Sequence, residues 1–408
     1  MWLPDAVLTC IKTLQKAGYQ GYAVGGCVRD WLCGLKPKDY DVTTSATPEQ
    51  VTALFPRVVP TGLKYGTVTV LFGKEPVEVT TFRAEDGYSD GRRPDQVRLI
   101  DNLIEDLARR DLTVNAMAFS PTTGLIDPFG GERDIRRGII RAVGDPAVRF
   151  EEDRLRILRA FRFAATLGYR LDTDTLKAAL QQAKGISSVS AERVTGELMR
   201  TLTGTFPSRL RPLVESGGLL PWGIRPVSSL FALDFTSPQR AVRLAALCLL
   251  TGSDLEELGH RLRLDRRTYK EASQLLFEQT KQIPATESGV RRRLCEVGPT
   301  LLSRTLRLQG DLSSAAAPAA AFAAQMTGRI LRRGDPYQLR MLAVTGEDLI
   351  QAGFAPGPAI KRTLMSLLDA VLEDPGCNQK QNLLRLALIC ENGKSPKDDR
   401  QAMQGERR

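Results

Sequence analysis

The sequence predicts an α+β chain, with a mixed-sheet head in the first 140 residues and an all-helical remainder. Three observations carry that reading. Alternating, β-branched runs occur ahead of residue 140, whereas helical apolar spacing dominates from about residue 150 to about residue 392. Charge divides at the same place: residues 1–140 hold 17 Lys/Arg against 18 Asp/Glu, net −1, and the other 268 hold 40 against 29, net +11. A length of 408 residues with 42% apolar and 25% charged side chains supports about two or more buried cores.

The expected strands are YAVGG (22–26), DYDVTT (39–44), GTVTVLFG (66–73) and VEVTTFR (77–83), in one sheet. Helices are expected at 4–17, 28–34, 48–55 and 102–118, the third opened by Thr47 or Pro48. Residues 84–98, polar and rich in Gly, Asp and Arg, read as a mobile loop. Beyond 150, EEDRLRILRAFRFAATLG and SAERVTGELMRTLTG are helical, and no strand is expected. SSAAAPAAAFAA (313–324) is either a hinge or a helix whose start Pro318 marks. The charged end, GKSPKDDRQAMQGERR, is expected to fray.

Composition removes several chemistries. Seven cysteines without a C-x-x-C pair fit reduced thiols rather than zinc or disulfides. His260 is the sole histidine, so His-ligated zinc, Ser-His-Asp or Cys-His catalysis and His-Asp phosphohydrolase chemistry are excluded. Metal chemistry must use oxygen ligands. No uncharged apolar run reaches about 18 residues, and the N-terminus lacks the order of a signal peptide, so the expected location is cytoplasmic. A basic excess spread over helices suits a polyanion such as nucleic acid; a merely basic surface is the alternative.

On a strand, residues i and i+2 share a face, so Asp39 and Asp41 of DYDVTT project together. Carboxylates that close repel unless a cation lies between them, and Mg²⁺ takes carboxylate and phosphate oxygens. Asp39 and Asp41 are therefore the candidate catalytic residues and metal ligands, with Glu78 as a possible third carboxylate. A solvated strand end is the alternative. Upstream, AVGGCVRD reads as strand, turn and helix; Gly25 and Gly26 let the backbone approach a triphosphate, and Arg29 pairs with it. P-loop and Rossmann glycine patterns are absent.

Four further motifs follow: RRDLTVN (109–115), DPFGGERD (127–134), EDRLRILR (152–159) and RVTGEL (193–198). RRDLTVN is expected on a helix, with Asn115 one turn past Asp111; a solvated surface pair is its plain alternative. Glu152, Asp153, Arg156, Arg159 and Arg162 recur at three- and four-residue steps, opposite Leu155, Leu158, Phe161 and Ala165. A Glu152–Arg156 salt bridge accounts for that charge spacing by itself. Base chemistry offers a second reading. Cytosine and adenine both present an amino donor beside an unprotonated ring nitrogen, so a carboxylate and a guanidinium together accept these two and repel uracil and guanine. DPFGGERD, with Asp127 and Asp134, is expected to be a turn between head and helical part, and Arg193 with Glu197 is expected as an i,i+4 helix pair.

GGCVRD, DYD and these four motifs together resemble the nucleotidyltransferase superfamily related to DNA polymerase beta, in its class II tRNA nucleotidyltransferase and bacterial poly(A) polymerase branch. The resemblance covers most of residues 20–200. It implies a polymerase beta-like catalytic head (1–140), a neck carrying a nucleotide-template helix (141–208), an RNA-binding body (209–310) and a tRNA-binding tail (311–408). It implies nucleotide-binding roles for Gly26, Arg29, Arg110, Asp153, Arg156, Arg159 and Arg162, with Arg110 in the ribose-sensing motif and Glu152 orienting Arg156. Mg²⁺ on Asp39 and Asp41, CTP and ATP as substrates and tRNA as partner are implied with them. For DPFGGERD the resemblance implies a positioning hinge, with a purely structural turn as the alternative. Relatives that add only the two cytidines shorten the 84–98 loop, which is long here. The expected activity is template-independent CCA addition to the 3′ end of tRNA. An A-adding enzyme, a poly(A) polymerase and an inactive RNA-binding scaffold are the alternatives.

Overall fold

The structure is a computed structural model that describes residues 2–86 and 96–391. The expected fraying end and the middle of the 84–98 loop lie outside the described residues. The chain divides into two compact units, residues 1–270 and 271–408. Among the described residues no helix is long and apolar enough to cross a membrane.

The head is built on one seven-stranded mixed sheet. Its strands are β1 (Gly21–Val24), β2 (Asp41–Thr44), β3 (Val58–Gly62), β4 (Thr67–Phe72), β5 (Glu75–Thr81), β8 (Ala118–Ser120) and β9 (Gly124–Ile126). Between them, β6 (Arg83–Asp86) and β7 (Gln96–Leu99) pair antiparallel as a separate ribbon, so the flanks of the expected loop are strands. The sheet order is β3-β4-β5-β2-β1-β8-β9, parallel only between β2 and β5, where Asp41 stands opposite Glu78. Valines alternate inward along β4 and β5, with Val68, Val70, Val77 and Val79 buried.

The first helices match the sequence within two residues: α1 (Asp5–Lys16), α2 (Gly26–Leu32) and α3 (Pro48–Leu54). Thr47 caps α3 as half of a capping box with Gln50. The expected 102–118 helix is shorter. It ends as α4 (Leu103–Ala108), and a 3₁₀ turn occupies Thr113–Asn115. Long-range pairing prevails here: Leu112 bridges Ala142, and the Thr113 N–H donates to the Arg141 carbonyl at 2.9 Å. α4 packs its Leu103 and Leu107 onto Tyr22, Val24, Phe82 and Ala118 of the sheet.

α5 (Gly131–Arg137) begins inside DPFGGERD (127–134), whose Asp127 carboxylate accepts the Gly131 and Glu132 N–H groups at 2.7 and 2.9 Å. The first half of the motif is a turn and the second half is the first turn of α5. The region beyond is helical, beginning with α6 (Pro146–Glu152), α7 (Leu155–Leu167), α8 (Thr173–Gln181) and α9 (Ala191–Leu202). One short pair corrects the all-helical expectation: β10 (Ile139–Ile140) runs parallel to β11 (Arg170–Leu171). The charged run 152–162 is not one helix either. α6 ends at Glu152, and Asp153 has extended backbone (φ −143°, ψ 106°) because its carboxylate accepts the Leu155 N–H at 3.0 Å. α7 then buries Leu155, Leu158, Phe161 and Ala165 as expected.

In the second unit, the run Glu287–Leu312 is two helices broken at Gly298 (φ 75°) and Pro299. Ala317–Arg333 is a helix opened by Pro318, which decides between hinge and helix for that alanine-rich stretch. Two apolar cores, one around Leu294, Leu306 and Met326 and one around Leu349, Leu367 and Val371, hold this unit.

Candidate active site

A cavity of about 730 Å³ opens between the head sheet and α7. Seven arginines (Arg29, Arg83, Arg109, Arg110, Arg156, Arg159 and Arg193) line it against three carboxylates, Asp41, Asp111 and Asp153. Such an excess of guanidinium groups in one concave site calls for a polyanion of small-molecule size. Of the expected nucleotide-binding residues, Gly26, Arg29, Arg110, Asp153, Arg156 and Arg159 line this cavity. Arg162 is not among its lining residues; its Nε donates to Glu197 at 2.5 Å.

The glycine turn has two reasons to be glycine. Gly25 lies at φ 78°, and a Cβ there would come within 2.9 Å of the Arg110 guanidinium. Removing the side chain lets Arg110 lie against the backbone where β1 ends. Burial pulls the Arg110 pKa down while the Asp106 carboxylate opposes it, and the Arg110 Nε is buried without a hydrogen-bond partner. Arg110 lines the cavity with one of its own N–H groups buried and unsatisfied.

A connected polar chain runs from this turn to α7. Arg29 Nη1 donates to the Asn115 amide oxygen at 2.5 Å, and Asn115 Nδ2 donates to Asp111 Oδ1 at 3.1 Å. The other Asp111 oxygen accepts Arg159 at 2.7 Å. Burial alone would raise the Asp111 pKa; the Arg159 charge and the Asn115 and Arg159 hydrogen bonds outweigh it and hold it at about 2. RRDLTVN is thus a junction between head and α7, not a solvated helix pair.

Asp153 and Arg156 are each held by neighbouring side chains. Asp153 Oδ2 accepts Arg193 at 2.7 Å. Arg156 pairs with Glu152, which also takes Arg149 at 2.8 Å, and it donates to the Arg149 and Arg109 carbonyls at 3.2 and 3.3 Å. The Glu152–Arg156 salt bridge therefore forms, but from the end of one helix to the start of the next. The expected Arg193–Glu197 pair is replaced: Arg193 reaches Asp153, while Glu197 takes Arg162 and, at 3.5 Å, Arg200.

The aspartate pair departs from a strand in one respect. β2 starts at Asp41, and Asp39 precedes it. At the level of Asp39 the chain of β1 has already turned at Gly25, and Pro76 of β5 has no N–H to donate, so the ladder stops. Asp39, Asp41 and Glu78 still line one cavity of about 600 Å³, next to the first. Desolvation by the surrounding protein, then Glu78, then Asp39 push the Asp41 pKa above the ordinary carboxylate value, with Arg110 acting against them. Crowded carboxylate oxygens that resist ionising together fit a hard divalent cation. Among the described residues no group of three or more His, Cys, Asp or Glu forms a ready-made metal cage. That is compatible with an ion taking one or two carboxylates and substrate phosphates.

Sequence reasoning missed Asp106. Fully buried beneath the cavity, it accepts Arg109 at 2.8 and 3.0 Å, the Arg83 N–H at 3.3 Å and the Thr43 hydroxyl at 3.4 Å, and lies 3.6 Å from Arg110. The available signal was an aspartate at i−3 and i−4 to two arginines.

Residues 21–141 match the poly A polymerase head domain, and residues 168–221 the probable RNA- and SrmB-binding site of polymerase A. The CCA-adding enzyme of Limosilactobacillus fermentum is 34% identical over 389 residues, covering 92% of this chain and 94% of that one. The CCA-adding enzyme of Geobacillus kaustophilus is 36% identical over 394 residues, with coverage of 93% and 95%. Among solved structures, the Bacillus stearothermophilus CCA-adding enzyme in complex with CTP superposes with a TM-score of 0.73 at 31% identity, covering 96% of this chain and 99% of that one. With a third of its residues shared along nearly the whole length of both partners, this chain belongs to the CCA-adding enzyme family.

Proposed function

We propose that this chain adds CCA to the 3′ end of tRNA, without a nucleic-acid template, using CTP and ATP and releasing pyrophosphate. The single observation that carries the reading is the arginine-lined cavity that joins the glycine turn, Asp41 and the Asp153–Arg156 pair. Full-length similarity to CCA-adding enzymes, one of them crystallised with CTP, supports it. The terminal hydroxyl of the RNA attacks the α-phosphate, and the triphosphate is held by Arg29, Arg110 and the turn at Gly25 and Gly26. Asp39 and Asp41 hold Mg²⁺, which when bound supplies charge neutralisation at the reacting phosphate. Asp153 accepts from the amino group of cytosine or adenine and Arg156 donates to the neighbouring ring nitrogen. Arg159 fixes Asp111 beside the ribose; Arg162 acts through Glu197 and Phe163 rather than on the nucleotide.

We place the catalytic head at 1–140, the neck at 141–208, the body at 209–310 and the tail at 311–408, with the basic helical part holding tRNA by its phosphates. The reading puts the protein in the cytoplasm. The deciding experiment offers tRNAs ending in the discriminator base, in C and in CC, with CTP and ATP singly and together. A CCA-adding enzyme extends the first by C, C and A and stops. An A-adding enzyme extends only the last, a poly(A) polymerase does not stop, and an inert scaffold extends none.

A further inference from the structure

Phe163 stands where the helical pattern calls for charge. It follows Arg156 by seven residues and Arg159 by four, so it shares their face of α7 rather than that of Leu158, Phe161 and Ala165. Its ring lines the arginine cavity with only 6% of the residue exposed. Guanidinium groups crowd it: the central carbons of Arg162, Arg29 and Arg159 lie 3.7, 4.9 and 5.9 Å from the ring centroid. Cation–π contacts occur about once per 70–80 residues, so three on one ring are not background, and Arg29 reaches it from α2 while the other two belong to α7. Like charges this close repel. Burial, which Glu197 opposes, pulls the Arg162 pKa down, and the Arg159 charge adds to that pull. Asp30, Asp111 and Glu197 each hold one of these guanidinium groups by its N–H donors. A ring face attracts the charge without spending a donor, which leaves N–H groups for a ligand.

We propose that Phe163 is a positioning residue for the triphosphate arm of the incoming nucleotide: its ring gathers Arg29 of the head with Arg159 and Arg162 of α7, offsets their mutual repulsion before phosphates do so, and presents Arg29 to those phosphates. The inference rests on the nucleotide-adding reading above. Its signature is blindness to the base. CTP and ATP carry the same triphosphate, so the ring acts on both alike, whereas the Asp153–Arg156 pair acts on the base edge.

The test uses the full chain, CTP with a tRNA ending in the discriminator base, and ATP with a tRNA ending in CC. Phe163→Leu keeps the apolar bulk and removes the π face; it raises KM for CTP and for ATP about tenfold each and leaves KM for tRNA unchanged, and Phe163→Tyr restores most of the loss. In an Arg29→Gln background, Phe163→Leu costs less than about twofold more, because the ring then has no Arg29 to hold. A trifluorinated phenylalanine in place of Phe163 keeps the ring's shape while drawing charge from its face, and raises both nucleotide KM values about threefold in a chain whose circular dichroism matches wild type. If wild type extends the tRNAs while the fluorinated ring leaves both nucleotide KM values unchanged, or if Phe163→Leu and Arg29→Gln add independently, the ring is packing only and the function stands. If wild type extends no RNA, the nucleotide-adding reading fails and the positioning role falls with it.

Discussion

Asp106→Asn asks whether one buried charge sets the arginines of the arginine-lined cavity. Oδ1 of Asp106 receives both Arg109 contacts and the Arg83 N–H, while Oδ2 receives Thr43 and faces Arg110. An amide of the same shape turns one oxygen into an NH₂. In either orientation a new N–H faces a donor, and the two guanidinium groups lose the Asp106 charge. Removing one partner from a fully buried pair costs ~3–5 kcal/mol. Arg109 and Arg110 keep 16% and 20% of their side-chain surface, so water screens part of this and ~2–3 kcal/mol of stability is the expected loss. A displaced Arg110 forfeits one charge-assisted hydrogen bond to nucleotide, ~1.5–3 kcal/mol, or about 10- to 150-fold in kcat/KM for CTP. Thermal unfolding and incorporation of CTP and dCTP measure both, with the ribose preference shrinking as kcat/KM falls. If Asp106→Asn keeps the wild-type unfolding midpoint and stays within about twofold of wild-type kcat/KM, the charge-hub account is refuted.

Three more outcomes follow from the site. Asp111, at about 2 against an ordinary 3.8, is favoured in its ionised form by folding, so its contribution is complete above about pH 5 and is lost as the pH falls through about 2. Asp111→Asn costs ~2 kcal/mol at neutral pH and flattens that acid limb, read by circular dichroism. Asp41 has the opposite sign. Its raised pKa means that folding disfavours the ionised form, so Asp41→Asn in metal-free buffer raises the unfolding midpoint while abolishing incorporation. A lower midpoint would show that folding does not disfavour the ionised Asp41 carboxylate. Gly25→Ala meets both the positive φ and Arg110, which together cost ~1–2 kcal/mol, and it lowers CTP incorporation by at least about tenfold with KM rising.

The sheet was legible because its strands alternate on a period of two, and the valines at 68, 70, 77 and 79 point inward as that period requires. The cavity was legible as motifs, since six of the seven expected nucleotide-binding residues line it. What escaped were choices made by distant parts of the chain. Leu112 leaves a helical pattern to bridge Ala142, thirty residues away in sequence, and no local propensity encodes that. Asp153 breaks a charge periodicity that favours one continuous helix, by committing its own carboxylate to the Leu155 N–H. Asp106 looked like any acid on an amphipathic helix. Its importance comes from burial, which only the packed head reveals.

The chain of contacts from Arg29 through Asn115 and Asp111 to Arg159 constrains anyone who builds hybrids from this family. An α7 borrowed from a relative arrives with its own answer to Arg159, and a mismatched answer strands a charged Asp111 inside the host. Both ends of this chain must be exchanged together, so a cut for recombination belongs outside residues 29–159 rather than between RRDLTVN and α7.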